Sequence, residues 1–293
     1  MIKRYPWIFN KSSQPMTKKF TRLSCRPVMC IFLIQAVIMI FPSYDYAQNP
    51  YELNWNKDGL ILLIGFPLTT AGYALDASVL PLTLNAITKL DRKDIFPAFD
   101  RFASYHYSES ASNLSDILIY TCLASPFILF SSRAIRHDFS TILGMYAESV
   151  LFNSALTFWG KGGVHRIRPY AYFAKTPLNT KMSAEAKKSF FSGHSSTAFM
   201  SMIFLSTVYS SYYPNSRWKT HIWIGSILMA STVGYLRIAA GAHFLTDVLF
   251  GAIVGSAVGY LIPKIHETDH KNISLKSLSL SMQPPGITVQ FSF

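Results

Sequence analysis

The stretch RIAAGAHFLTDVLFGAIVGSAVGYLI, residues 237–262, places charged and imidazole side chains ahead of a long apolar run. From residue 243 to residue 262 this run approaches the ~20 residues that an α-helix needs to span a bilayer. Gly251, Gly255 and Gly259 recur at every fourth position, so one helix face carries small residues and can pack closely against a neighbour. The stretch therefore predicts a tightly packed membrane helix with polar groups at its start.

Five other hydrophobic stretches precede it, near residues 59–80, 114–132, 140–159, 195–213 and 220–236. The later ones are separated by short polar turns, which favours a helical bundle because helices satisfy their backbone polar groups internally. We predict an all-α, polytopic membrane bundle of about five to six transmembrane helices, with the functional site at the membrane surface.

The domain boundaries follow from these changes in composition. We predict a targeting segment over 1–47, a hydrophobic segment with a polar loop over 48–113, a membrane core over 114–263 and a polar tail over 264–293. The alternating pattern of residues 287–293 is typical of a short strand.

Composition also favours a membrane protein over a soluble one. Of the 293 residues, 50% are hydrophobic and 14% are charged, which is less charge than soluble domains usually carry. The net charge of +12 is concentrated at the start of the chain, where residues 1–47 hold seven Lys or Arg and one acidic residue. A basic segment before a hydrophobic run is an orientation signal, so no nucleic-acid partner is expected.

The hydrophobic run Val28–Phe41 follows several basic residues and precedes a polar segment. This pattern predicts a signal peptide, cleaved after Ala47, or a retained signal anchor. Cys25 and Cys30 lie in this segment and Cys122 lies alone in a hydrophobic helix, so no disulfide is expected.

Three polar clusters lie at the ends of the predicted helices, where a charge is costly unless it faces a cavity or a partner. They are Lys161-x6-Arg168-Pro169, then Ser192-Gly193-His194, then Arg237-x5-His243-x3-Asp247. Glu148 is also polar within a hydrophobic stretch, but no partner is evident in sequence, and we expect it to make a structural hydrogen bond.

His243 and Asp247 are four residues apart, so they share one face if the last helix has already begun at His243. We expect the Asp247 carboxylate to hold one imidazole nitrogen, which leaves the other nitrogen free to attack an electrophile. Taken alone, such a pair is also common as a simple helix-surface contact.

The remaining polar residues indicate that the electrophile is phosphorus. Arg168 and Arg237 offer planar guanidinium groups that match phosphoryl oxygens, and Lys161 adds a third positive charge. Ser192 and the Gly193 amide, at a helix start, suit an oxyanion. His194 is expected to protonate the leaving oxygen. Singly, each has a more ordinary role, since basic side chains at helix ends often reach lipid head groups.

Together the three motifs resemble, in order, the signature motifs of the type 2 phosphatidic acid phosphatase and vanadium haloperoxidase superfamily, in its membrane lipid phosphatase branch. The resemblance covers roughly residues 114–262. It implies that His243 is a phosphohistidine nucleophile, Asp247 its orienting acid and His194 the general acid. It also implies that phosphate is held by Lys161, Arg168, Ser192, Gly193 and Arg237, with no metal and no cofactor.

Two positions depart from the family pattern. Phe191 stands where proline usually precedes Ser-Gly-His, and Leu236 stands where serine usually precedes the arginine. Loss of that serine removes a hydrogen bond to phosphate, typically worth ~1.5–3 kcal/mol when one partner is charged. The rate or the choice of substrate is therefore expected to differ from that of other members.

The function expected from this resemblance is hydrolysis of a lipid phosphomonoester or pyrophosphate, with a phosphorylated membrane lipid as the partner. The alternatives are a vanadate-dependent haloperoxidase and a catalytically silent lipid-binding scaffold. Candidate substrates are phosphatidic acid, phosphatidylglycerol phosphate, polyprenyl pyrophosphate and lipid A, and the export signal favours the last two.

The expected location is a bacterial inner membrane with the site facing the periplasm. The short loops near Arg133, Arg217 and Lys264 are positively charged and belong in the cytoplasm by the positive-inside rule. This orientation requires either that residues 59–80 re-enter the membrane or lie along it, or that their start is not exported.

Overall fold

The computed structural model describes residues 50–268, 279–283 and 286–290. Within these ranges the chain forms a bundle of six long helices. They are α1 (Trp55–Ala77), α2 (Glu109–Ala124), α3 (Phe139–Val164), α4 (Gly193–Tyr212), α5 (Lys219–Ala239) and α6 (Leu245–Ile265). The predicted all-α membrane architecture is confirmed. The predicted targeting segment lies outside the described residues.

Four of the six helices are long and apolar enough to cross a membrane: α1, α5, α6, and α2 together with the 3-10 turn Ser125–Ser131 that continues it. The chain is therefore an integral membrane protein. Helix α3 contains Glu148, and α4 contains many serines, most of which are buried. Helix α4 packs inside the bundle, where its side-chain hydroxyls find partners.

Shorter elements fill the connections between the long helices. Helix Leu84–Thr88 and the 3-10 turns Arg92–Asp94 and Ala98–Tyr105 link α1 to α2, and helix Arg133–His137 precedes α3. The 3-10 turns Pro169–Tyr172 and Ala184–Lys187 and helix Leu178–Lys181 link α3 to α4. Strands β1 (Ser279–Gln283) and β2 (Gly286–Gln290) pair antiparallel, with Ser281 opposite Thr288. The strand predicted near the end of the chain is thus found at Gly286–Gln290.

The glycines of α6 allow its backbone to touch that of α4. A Cβ atom added at Gly255 would lie 2.0 Å from the carbonyl oxygen of Ser196, and one at Gly259 would lie 2.3 Å from that of Met200. No side chain fits at such distances, so the predicted small-residue face is confirmed as the contact between α4 and α6. This contact brings the starts of both helices, with their polar motifs, side by side.

Helix α1 runs parallel to α3 along its length. Gly65 of α1 lies against Leu151, Gly72 lies against Trp159, and Gly162 of α3 approaches the backbone of Asp76. The helix is continuous through Pro67. The 23 residues of this continuous helix are long and apolar enough to cross a membrane.

The two faces of the bundle differ in what they carry. Helices α1, α3 and α5 end at the face where α2, α4 and α6 begin, and all three sequence motifs lie there. At the opposite face, Tyr51 forms a β-bridge with Glu267, and the Glu52 amide donates to the carbonyl of His266 at 3.0 Å. Residue 50 and the end of α6 therefore share one face, and the motifs occupy the other.

Candidate active site

The three motifs meet at the ends of four helices. Lys161 lies in the last turn of α3, His194 in the first turn of α4 and Arg237 in the last turn of α5. His243 lies just before α6, and Arg168 precedes the turn Pro169–Tyr172. The structure thus brings together positions that are up to 86 residues apart, from Lys161 to Asp247.

His243 is buried, with 1% of its surface exposed, and its Nδ1 lies 2.7 Å from the backbone carbonyl oxygen of Ser189. A carbonyl oxygen only accepts hydrogen bonds, so Nδ1 carries the proton and Nε2 keeps the lone pair. Burial, followed by the nearby charges of Arg168 and Arg237, holds the pKa of His243 well below its ordinary value. The imidazole is therefore neutral at pH 7, with Nε2 available as a nucleophile.

The predicted contact between Asp247 and the His243 imidazole is wrong. Helix α6 begins at Leu245, with Phe244 as its N-cap residue, so His243 precedes the helix and the four-residue spacing does not put the two side chains on one face. The Asp247 carboxylate instead accepts hydrogen bonds from the Ser189 hydroxyl at 2.5 Å and from the Phe244 amide at 3.0 Å.

Ser189 connects these two residues. Its hydroxyl donates to Asp247, and its carbonyl accepts from His243, so Asp247 acts on the imidazole only through the position of Ser189. Ser189 is fully buried. Sequence analysis did not single out this serine, because its role depends on a backbone carbonyl that any residue type could supply.

Arg166 is a second residue that sequence analysis missed. One terminal nitrogen donates to Asp247 at 2.5 Å and to the Thr246 hydroxyl at 2.7 Å. The other donates to Asp100 at 2.8 Å and to the carbonyl of Phe96 at 2.9 Å. Arg166 therefore ties the start of α6 to the turn Ala98–Tyr105. Its position two residues before Arg168 was visible in sequence, but its partners were not.

His194 has an acidic partner that sequence analysis also missed. Its Nε2 lies 2.8 Å from the Asp116 carboxylate, which comes from α2. The Arg237 guanidinium donates to the Ser115 hydroxyl at 3.0 Å and lies 3.4 Å from the same Asp116 oxygen. A carboxylate beside an imidazole favours its protonated form. Burial and the Arg237 charge lower the pKa of His194 below its ordinary value, and the Asp116 carboxylate offsets part of that effect. A carboxylate within an apolar stretch was the available signal.

Arg168 and Arg237 retain hydrogen-bonding capacity. Arg168 donates to Glu185 at 2.7 Å through a terminal nitrogen. The buried Nε–H groups of both arginines have no hydrogen-bond partner in the part of the chain that the structure describes. Buried donors of this kind are rarely left unpaired in proteins. Both arginines line one cavity of about 200 Å³, which also contacts Ala242, the neighbour of His243.

Glu185 offsets part of the positive charge at this site. Burial by itself would raise the pKa of Glu185, but the charges of Arg168, Lys161 and Lys188 lower it below the ordinary value. The carboxylate is therefore ionised at neutral pH. It lies half exposed at the rim, where it pairs with Arg168 and, at 3.4 Å, with Lys188.

The start of α4 supplies the remaining predicted residues. A Cβ atom at Gly193 would lie 2.9 Å from the Thr157 side chain and 3.6 Å from the Lys161 ammonium, so the glycine lets Lys161 approach the helix start. Ser192 is the N-cap residue, and its hydroxyl oxygen accepts from the Ser195 amide at 3.3 Å and from the Ser195 hydroxyl at 3.0 Å. These bonds leave the Ser192 hydroxyl proton uncommitted.

The two departures from the family pattern both lie in packed positions. Phe191 is buried, and a Cβ atom at Gly160 would lie 2.9 Å from its ring. Leu236 packs against the apolar cluster that joins α2, α4 and α5. Both side chains therefore contribute to packing rather than to polar contacts at the site.

Part of the chain matches a known protein family. Residues 141–271 match the family model described as the PAP2 superfamily, and all three motifs lie within that range. The chain is also similar to the transmembrane PAP2 type phosphatidylglycerolphosphate phosphatase from Bacillus subtilis. That similarity is 22% in sequence identity, covers 74% of this chain and 98% of the other, and has a TM-score of 0.38. No curated protein matches the chain.

Proposed function

We propose that the chain is a member of the PAP2 superfamily, whose model matches residues 141–271, and that it hydrolyses a lipid phosphate through a phosphohistidine intermediate. The family match supports a phosphatase, and the four apolar helices support a site at a membrane. The individual chemical steps of this hydrolysis are inferred from the arrangement of His243, His194 and the cationic groups.

In the first step, the Nε2 lone pair of His243 attacks phosphorus and forms an N–P bond. The bond from phosphorus to the lipid oxygen breaks, and that oxygen takes a proton from His194. General acid catalysis of this kind typically contributes ~10²–10⁴ in rate. The position of Asp116 at 2.8 Å from His194 supports this role, since the carboxylate stabilises the imidazolium.

In the second step, water attacks the phosphohistidine. His194, now neutral, accepts a proton from the water, the N–P bond breaks, and inorganic phosphate leaves. His243 returns to its neutral form with the proton still on Nδ1, because the Ser189 carbonyl remains its acceptor. The Nδ1 proton therefore need not move during the cycle.

The observation that carries the proposal is the pair of unpartnered, buried guanidinium Nε–H groups of Arg168 and Arg237 on one cavity. A phosphoryl group offers several anionic oxygens and would satisfy both donors. The same two arginines and Lys161 lie close enough to lower the pKa of His243. His243 therefore lies near these cations, and the cavity that the two arginines line reaches its neighbour Ala242.

We also propose that turnover requires no metal at this site. Phosphoryl transfer needs stabilisation of charge on the phosphoryl oxygens, and Lys161, Arg168 and Arg237 can supply it. Chelator should leave turnover unchanged, and vanadate should inhibit because it adopts the five-coordinate geometry of the transferring group. Activity that disappears in chelator and returns with a divalent ion would refute this proposal.

The proposed substrate is a bacterial envelope lipid, polyprenyl pyrophosphate or a lipid A phosphate. Arg168 and Arg237 line the cavity of about 200 Å³ at the helix ends, which supports binding of a phosphate-bearing head group there. The test is phosphate release by purified protein from a panel that also contains phosphatidic acid and phosphatidylglycerol phosphate. A preference for either of the last two lipids would overturn the choice of substrate, while no release from any of them would overturn the function.

Two histidine variants, a test variant and a matched control, examine the nucleophile in this assay. His243→Ala should abolish release and prevent acid-labile phosphate labelling of the protein, because no N–P bond can form. His221→Ala, which changes an exposed histidine in α5, should behave like the wild type. Full activity of His243→Ala would rule out the covalent route.

We propose that the site faces the periplasm. The motifs and residue 50 lie at opposite ends of the bundle, so an outer site requires residue 50 to remain in the cytoplasm. The basic residues of the short loops on that opposite face, such as Arg133 and Arg217, support this orientation. Cleavage of a secretory signal after Ala47 would instead export residue 50, and an outer site would then be impossible.

A further inference from the structure

Three ionisable side chains meet inside the bundle, far from the catalytic residues. Asp58 lies in the first turn of α1, Glu148 in α3, and His266 at the C-terminal end of α6. Each has less than a tenth of its surface exposed. Glu148 and Lys161 are thirteen residues apart on α3, which corresponds to about 20 Å at 1.5 Å per residue. The cluster is therefore separate from the phosphate site.

The orientation of His266 is that of a metal ligand. Its Nδ1 lies 2.8 Å from the carbonyl oxygen of Ile262 and carries a proton, while its Nε2 shares a proton with Asp58 at 2.8 Å, and a metal ion would displace that second proton. Histidines that bind metals usually donate their other ring N–H to a carbonyl or carboxylate in this way. Nε2 points at the two carboxylates, 2.8 Å from Asp58 and 3.3 Å from Glu148.

The positive partner available to the two carboxylates in the described chain is the His266 imidazole. Neither Asp58 nor Glu148 forms an ion pair with a lysine or arginine there, and both lie close to His266 Nε2. One Glu148 carboxylate oxygen is buried and accepts no hydrogen bond there. Two carboxylates buried beside a single imidazole carry excess negative charge, which is costly inside a membrane bundle. A bound cation would remove that cost.

We propose that Asp58, Glu148 and His266 bind a divalent transition-metal ion of the zinc type. Imidazole and carboxylate ligands suit such an ion, whereas magnesium prefers oxygen ligands throughout. The three ligand atoms lie within 4.8 Å of one another. Zinc bonds of about 2.0–2.2 Å require ligand separations of at most about 4.4 Å, so side-chain adjustment is sufficient.

The consequence of this site is structural. An ion held by α1, α3 and α6 fastens the first helix to the last at the face opposite the phosphate site. Residues 50–52 already pair with residues 266–268 at this end. Because the unfolded chain does not hold these ligands together, metal binding stabilises the folded state. It is not expected to take part in phosphoryl transfer.

The test uses full-length protein purified in detergent without a polyhistidine tag. Zinc content is measured by mass spectrometry after equilibration with a small excess of Zn²⁺ and desalting. The wild type should hold one equivalent, and Asp58→Asn, Glu148→Gln and His266→Gln should each lose it. His221→Gln, an exposed histidine of the same chain, is the control and should retain the ion.

A second measurement keeps the proposal open to refutation if a variant fails to fold. Zn²⁺ added to metal-free wild type should raise Tm, and X-ray absorption at the zinc edge should report imidazole and oxygen ligands. Absence of both binding and a Tm shift in the wild type would overturn the proposal, as would retention of the equivalent by the folded variants. None of these measurements uses turnover, so their results do not depend on the phosphatase function.

Discussion

Replacing Ser189 by alanine tests whether Asp247 positions the nucleophile His243 through Ser189. In the structure, the Ser189 hydroxyl donates to Asp247 at 2.5 Å, while the Ser189 carbonyl accepts from His243 at 2.7 Å. No hydrogen bond joins the serine side chain to His243 in the described part of the chain. Ser189→Ala therefore removes the link between Asp247 and Ser189 and leaves the carbonyl acceptor in the chain.

The magnitude follows from the bond that is lost. A hydrogen bond to a charged group contributes ~1.5–3 kcal/mol, so the free energy of unfolding should fall by about that amount. A displacement of about 1 Å at a reacting group can cost ~10²-fold in rate. Since Asp247 keeps its bonds from Arg166 and the Phe244 amide, we expect a smaller shift of His243 and a loss of kcat/KM of about tenfold.

The assay is phosphate release by purified protein, with thermal unfolding measured on the same samples. The matched control is Ser206→Ala, which removes a buried hydroxyl of α4 that bonds the Ser226 hydroxyl at 2.8 Å, away from the site. The control should lose some stability and keep wild-type kcat/KM. This comparison separates a loss of position at His243 from a general loss of stability.

One result would refute the reasoning. If Asp247→Asn were inactive while Ser189→Ala kept wild-type kcat/KM, Asp247 would act on the imidazole by a route that does not pass through Ser189. If both variants lose activity, with the larger loss in Asp247→Asn, the indirect connection stands.

Three further predictions concern the acid, the buried nucleophile and the orientation. His194→Ala should slow hydrolysis of the lipid ester far more than that of a p-nitrophenyl phosphate, whose leaving group needs little protonation, and Asp116→Asn should give the same pattern in weaker form; equal losses on both substrates would remove His194 from this role. Because the folded pKa of His243 lies below the unfolded value of about 6.5, the unfolded chain takes up the proton first as pH falls. The free energy of unfolding of the wild type should therefore fall as the pH drops below ~6.5, by about 1 kcal/mol at pH 5.5. Thermal unfolding in detergent measures this fall against His243→Gln as the reference. A constant difference in stability between the two proteins across this pH range would contradict the burial argument. For orientation, single cysteines at the exposed Asn179 and Asn215, in a background without native cysteines, report the site face and the opposite face respectively; a membrane-impermeant maleimide should label intact cells at position 179, and labelling at 215 instead would reverse the proposed sidedness.

Asn215 is a better position for the cysteine than its neighbour Ser216, because Ser216 is buried. Ser216 lies in the same loop, but its hydroxyl bonds the Tyr209 hydroxyl at 2.8 Å and accepts from the Trp218 amide at 3.2 Å. A cysteine at that position would be protected from reagent on either side of the membrane. Asn215 is exposed and makes the labelling result interpretable.

The sequence by itself determined the fold class and the set of residues that meet at the site. Long apolar runs must become helices in lipid, because the helix satisfies its own backbone groups. The glycines of α6 predicted its close contact, and the three motifs predicted which polar residues gather at one end of the bundle. These inferences succeeded because each depends on local periodicity or on residues at the boundary of a helix.

Tertiary structure alone decided how those residues are held. Ser189 with His243, Asp116 with His194, and Arg166 with Asp100 are contacts between residues 54, 78 and 66 positions apart. The buried pair of Asp58 and His266 spans 208 positions. Sequence spacing indicates contacts only within one helix or turn. The predicted contact between His243 and Asp247 assumed that both residues lie in one helix, and it failed because α6 begins two residues after His243. Partners from different helices are chosen by packing of the bundle, which no local pattern specifies.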